Sequence, residues 1–99
     1  MRNLTPMNAA QRELYRAALL QVLETPEAQS GFSAAVIAVH VSVFGFAGVG
    51  AAAAFTELRY LMDKGFVETP SKTISPEIQT WRITAAGRDW LAQNGGVLS

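Results

Sequence analysis

Between Glu27 and Glu57 the chain carries no Asp, Glu, Lys or Arg, and the stretch from Phe32 to Phe55 reads FSAAVIAVHVSVFGFAGVGAAAAF. An uncharged apolar run of about 18 residues or more is long enough to span a bilayer, so that reading is weighed first. Its Val, Ile and Phe residues supply on the order of −3 to −6 kcal/mol of insertion energy. His40, Ser42, Gly45, Gly48 and Gly50 in its centre offset that gain, and neither flank has the Lys/Arg excess that would orient a span. A membrane anchor over residues 32–55 is therefore the third-ranked reading. The first is two short buried helices. Ser33 caps one from about Ala34 to Phe44, Gly45 supplies its left-handed stop, the turn spans Gly45 to Gly50, and a new helix starts at Ala51. That is a helix-turn-helix arrangement.

The flanking segments complete one small domain over residues 1–99, with 1–7 as an N-terminal arm and 94–99 as a C-terminal tail. The first segment, MRNLTPMNAAQREL, turns polar before a secretory core could form, so a cytoplasmic address is expected. Thr5-Pro6, or alternatively the Asn8/Gln11 capping box, opens a helix that runs to about Glu24 and buries Tyr15, Ala18, Leu19, Val22 and Leu23. Thr25-Pro26 stops it, and Pro26 to Gly31 reads as a surface connection. Phe55, Leu58, Leu61 and Met62 make one face of the third helix, which Gly65 ends. A strand over Phe66 to Thr69 then pairs, across the loop TPSKTISPEIQ, with Thr80 to Ile83, whose alternation turns Trp81 and Ile83 inward and Arg82 outward. Thr84 caps a last helix from Ala85 to about Gln93.

Within this order the spacing Leu58-x-x-Leu61-x-x-x-Gly65-Phe66-Val67, a loop, and Trp81-Arg82-Ile83-Thr84-x-x-Gly87-Arg88 resembles the "L-x-x-L-x-x-x-G-L-V … Y-R-L-T-x-x-G-R" signature of small winged-helix proteins such as the PadR and MarR regulators. In size the chain is similar to the short winged-helix proteins of Mu-like prophages. The likeness covers roughly residues 8 to 93 in architecture, and only Leu58 to Arg88 are motif-like. It implies an α+β, mostly helical fold: a winged helix-turn-helix with three helices, a two-stranded β-hairpin wing and a short C-terminal helix. The implied function is a DNA-binding transcriptional regulator that acts as a dimer through its third helix and wing.

Composition narrows how such a protein could bind. Eight Lys and Arg balance eight Asp and Glu, and charged residues are 16% of the chain, so any contact with double-stranded DNA rests on a few placed cations. The candidates are Thr56, Arg59 and Tyr60 on the third helix, Lys72 at the wing tip and Arg82 on the outer side of its strand. Arg59 is the first choice for a phosphate or a guanine, its plain alternative being a surface pair with Glu57 or Asp63. Arg12 and Arg16, one turn apart, add a small positive stripe on the first helix, with Glu13 lying beside them. Ala51 to Ala54 stand where family members commonly place Ser, Thr, Arg or Gln, and alanine offers a base edge little beyond contact with a thymine methyl. Close packing against the second helix or a partner is the plainer use for these alanines. Hence the alternative function: a winged-helix protein-interaction module, such as a phage or assembly component.

With no cysteine and one histidine, the chain offers no thiolate or His-based metal site, and it lacks nucleotide and nucleophile-elbow motifs. No enzyme activity, metal or cofactor is expected. His40 reads as a helix-surface or hydrogen-bonded core residue. Trp81 reads as core, and Trp90 as an edge. The apolar surplus points to a homo-oligomer.

Overall fold

The computed structural model describes residues 8–70 and 79–94. Helix α1 (Ala9–Leu23) starts where Asn8 and Gln11 close a reciprocal cap: the Gln11 amide donates to Asn8 Oδ1 at 2.8 Å and the Asn8 amide to Gln11 Oε1 at 2.9 Å. The alternative start at Thr5-Pro6, the arm 1–7 and the tail after Asn94 lie outside the described residues. From Tyr15 onward α1 is buried on most of its circumference, because it packs against helices on several sides and against the sheet. Ala17 and Leu20 therefore join the expected stripe in the core.

The uncharged run folds as several pieces. Phe32–Ser33 forms β1, and Ser33 Oγ then accepts the Val36 amide at 3.3 Å to cap α2 (Ala34–Val41). The expected helix to Phe44 is α-helical only to Val41; Ser42–Phe44 tighten into a 3-10 turn that Gly45 ends at φ +95°. Helix α3 (Ala51–Asp63) starts where expected, with Gly50 as its cap residue. Among the described residues no helix is long and apolar enough to cross a membrane.

At the far end of α3 the Gly65 amide donates to the Met62 carbonyl and the Phe66 amide to the Leu61 carbonyl, both at 2.9 Å. This pair of bonds closes the helix and sends the chain into β2 (Val67–Glu68). Further along the chain come β3 (Thr80–Ile83) and α4 (Ala85–Asn94). Thr84 joins three pieces. Its hydroxyl donates to the Gly65 carbonyl at 2.7 Å and accepts the Gly87 amide at 3.1 Å, while its own amide donates to the Phe66 carbonyl at 3.0 Å.

The architecture is α+β and mostly helical, as expected, but the sheet is not a two-stranded hairpin. It has three antiparallel strands in the order β1-β3-β2, with Phe32 opposite Trp81 and Val67 opposite Ile83. The extra strand is two residues long, too short to show alternation, and only its distant partner makes it a strand. The segment read as a surface connection also contains a 3-10 turn, Pro26–Ala28, whose Ala28 is buried.

Trp81 and Tyr15 are the largest fully buried side chains. Trp81 Nε1 and Tyr15 Oη find no hydrogen-bond partner among the described residues. A buried hydroxyl without a partner costs on the order of 1–3 kcal/mol of desolvation. Tyr15→Phe is therefore expected to leave stability at pH 7 unchanged or to raise it by up to about 1 kcal/mol, as read from urea unfolding. Burial, with the negative charge of Glu57 adding to it, pushes the Tyr15 phenol from 10.0 up to about 12. The folded chain thus keeps a proton that the unfolded chain releases above pH 10. Stability from this group is full below pH 10 and is lost as pH rises toward 12, by roughly 2–3 kcal/mol. Tyr15→Phe should remove that part of the alkaline loss, and an unchanged profile would contradict the assignment.

Candidate nucleic-acid interface

Helix α3 buries Ala54, Glu57, Leu58 and Leu61. Helical spacing then turns Thr56, Arg59 and Tyr60 outward together, and all three are exposed as expected. Thr56 Oγ1 donates back to the Ala52 carbonyl at 3.1 Å. The Arg59 guanidinium stands 5.9 Å from the Phe55 ring and makes no ion pair among the described residues. Of the two carboxylates considered for it, Glu57 faces the opposite way, toward α1, and Asp63 makes no ion pair with it. Tyr60 is less available than its exposure implies, since the Arg16 guanidinium lies 3.7 Å from its ring centroid and the Lys64 ammonium 5.8 Å away. Lys64, at the end of α3, is an exposed cation that sequence reasoning did not single out.

Two other cation groups are drawn into pairs. Arg82 does point outward from β3, but its Nε donates to Glu68 Oε2 at 2.8 Å and its Nη2 bonds the same oxygen. The strand register sets Glu68 directly opposite Arg82, so the pair follows from the sheet itself. Arg16 Nε donates to Glu57 Oε1 at 2.7 Å, and Arg12 Nε lies 3.6 Å from Glu57 Oε2. The positive stripe expected on α1 is therefore largely neutralised by a buried glutamate from α3. Lys72 lies outside the described residues.

The alanines at the start of α3 divide. Ala54 packs into the core, whereas Ala51 and Ala52 are exposed, so close packing accounts for only part of the run. Comparison of the chain with protein-family models, curated proteins and solved structures finds no match.

The face beside α3 was not foreseen. Val36, Val39, Val43 and Phe44, on α2 and the 3-10 turn after it, are exposed large hydrophobics. The signal was present in the uncharged run, but a buried helix pair seemed to account for it. His40 lies on the surface of α2, with its Nδ1 2.9 Å from the Val36 carbonyl oxygen, which accepts its proton, and its ring stacked on Phe32 at 5.0 Å. Trp81 is core, and Trp90 is half-buried with its ring 5.9 Å from that of Phe66. Among the described residues no three His, Asp or Glu side chains converge on a point that could hold a metal ion.

Proposed function

We propose that the chain is a small winged-helix protein that binds duplex DNA weakly and without strong sequence preference, through the outer face of α3 and the residues between β2 and β3. The observation that carries the reading is the joint exposure of Thr56, Arg59 and Tyr60 on one face of the second helix of a helix-turn-helix, with Arg59 free of any acidic partner among the described residues. The sheet and α4 that follow α3 are compatible with a winged helix. Arg59 on α3, Lys64 just past its end and Lys72, between β2 and β3 in the sequence, are the phosphate ligands in this reading. Thr56 is a hydroxyl donor to a phosphate or sugar. Exposed Ala51 and Ala52 leave base edges unread. Transcriptional regulation in the cytoplasm fits such a protein.

About three phosphate contacts per protomer give a slope of log K against log salt near −3. Fluorescence anisotropy of a labelled duplex at about 50 mM salt should therefore show binding that is lost steeply by about 200 mM. Arg59→Ala should weaken it uniformly across sequences and reduce the slope by about one. Absence of binding to any duplex at about 50 mM salt would overturn the reading.

The second reading, a winged-helix protein-interaction module, is favoured by the capture of Arg82 by Glu68 and of Arg12 and Arg16 by Glu57. It keeps the same fold, and it is the conclusion if the DNA experiment is negative.

A further inference from the structure

We propose that the Tyr60 hydroxyl is a phosphate donor on the face of α3 and that Arg16, on α1, holds the Tyr60 ring in place for it without touching DNA. These roles rest on the duplex-binding reading and add two residues to it, an uncharged ligand and a positioning residue from another helix.

The ring and the hydroxyl of Tyr60 are in different situations. The Arg16 guanidinium lies 3.7 Å from the ring centroid, yet the residue as a whole is 38% exposed. Among the described residues its hydroxyl has no hydrogen-bond partner. The other hydroxyl on this face, Thr56 Oγ1, already donates its proton to the Ala52 carbonyl. A phenol has one proton to donate, and phosphate oxygens are common acceptors for it at a DNA surface. Arg59 precedes Tyr60 and the Lys64 ammonium stands 5.8 Å from its ring, so a phosphate that reaches the hydroxyl meets the field of two exposed cations.

Arg16 can hold the ring because it is itself held. Its Nε donates to Glu57 Oε1 at 2.7 Å, its Nη1 lies 3.1 Å from Glu13 Oε2, and its side chain is mostly buried. A long helical side chain leans toward the preceding turn, so Tyr60 leans toward Thr56 and Glu57, where the bond to Glu57 has brought the guanidinium. Two carboxylates neutralise Arg16, and its part is therefore geometric. A ring fixed before DNA arrives loses little rotamer freedom on binding, which is worth a few-fold to about ten-fold in affinity.

Anisotropy of a labelled duplex at about 50 mM salt and through a salt series separates the two roles, with each variant first checked by circular dichroism for an unchanged fold. Tyr60→Phe keeps the ring and should weaken binding about ten-fold, with the salt slope still near −3, because a phenol releases no counterion. Arg16→Met should weaken it about five-fold, again at unchanged slope. The double variant should bind no more weakly than Tyr60→Phe, since a ring without its hydroxyl gains nothing from being held. A Tyr60→Phe that binds like the wild type overturns the donor role while the DNA reading stands. A slope reduced by about one in Arg16→Met makes Arg16 a phosphate ligand and overturns the positioning role. Losses that multiply in the double variant overturn it too, because a merely structural effect of Arg16 would persist without the hydroxyl. A wild type that binds no duplex brings down the DNA reading itself, and these roles with it.

Discussion

Replacing Gly87 by alanine is expected to destabilise the protein by about 3 kcal/mol, although alanine is the better helix former by about 1 kcal/mol. Gly87 lies in the first turn of α4, where the helix presses onto the chain that enters β2. A Cβ built there would overlap the Phe66 carbonyl oxygen and come within 2.8 Å of Ile83 Cγ1. That oxygen cannot step aside, because it accepts the Thr84 amide, and Thr84 in turn caps α4 through the Gly87 amide. A side chain at 87 must push α4 off the sheet or break the bonds that seat it. In a domain this small the loss should lower the thermal midpoint by roughly 12–24 °C. Gly50→Ala is the control. Nothing lies within 4 Å of its added Cβ, and the weaker capping of α3 by alanine is offset in part by the lower entropy of the unfolded chain, so its change should stay within about 1 kcal/mol. Comparable losses at the two positions would mean that the approach of α4 to Phe66 is looser than described.

The second large effect is expected at Glu57, which joins α3 to α1. It is 7% exposed, and its two carboxylate oxygens serve Arg16 and Arg12, while Arg16 also reaches Glu13 at 3.1 Å and covers Tyr60. Glu57→Ala would leave Arg16, whose side chain is mostly buried, without its nearest anion. Breaking a fully buried pair in this way costs about 3–5 kcal/mol. Arg12 is half exposed and Arg16 retains Glu13, so about 2–3 kcal/mol is expected in urea unfolding, with a smaller loss for Glu57→Gln. A double-mutant cycle with Arg16→Met should give a coupling of about 1–3 kcal/mol. Coupling near zero would show that the carboxylate is held by solvent rather than by the arginines.

The parts of the fold that the sequence predicts well are set by local chemistry. The Asn8 and Ser33 caps, the Gly45 stop and the Thr84 cap each fix an element end within a few residues, so the helix ends read from them lie close to those observed. Strand alternation turned Arg82 outward correctly, but its neutralisation by Glu68 depended on a pairing register that no local pattern states. Glu57 was misread for a related reason. Its spacing with Ala54, Leu58 and Leu61 puts it on the buried stripe of α3, yet its charge argued for the surface, and only the arginines of α1 reconcile the two. For the candidate interface, helix geometry alone sufficed to expose Thr56, Arg59 and Tyr60. Glu57 beside Arg12 and Arg16, Arg16 over Tyr60 and Glu68 beside Arg82 come from other elements and could not be read from spacing, whereas the Glu13–Arg16 pair within α1 follows from it.

The strand order β1-β3-β2 has a consequence for how the chain is made. Synthesis delivers β1 first and β2 second, yet neither has a strand to pair with until β3, the middle of the sheet, has left the ribosome. The Trp81 side chain that fills the core arrives with it. A nascent chain that ends before residue 80 can form helices but lacks the strand that β1 and β2 pair with and the Trp81 side chain that completes the core. Until β3 emerges, the apolar side chains that pack on Trp81 stay uncovered, and that is the state in which a chaperone would find them.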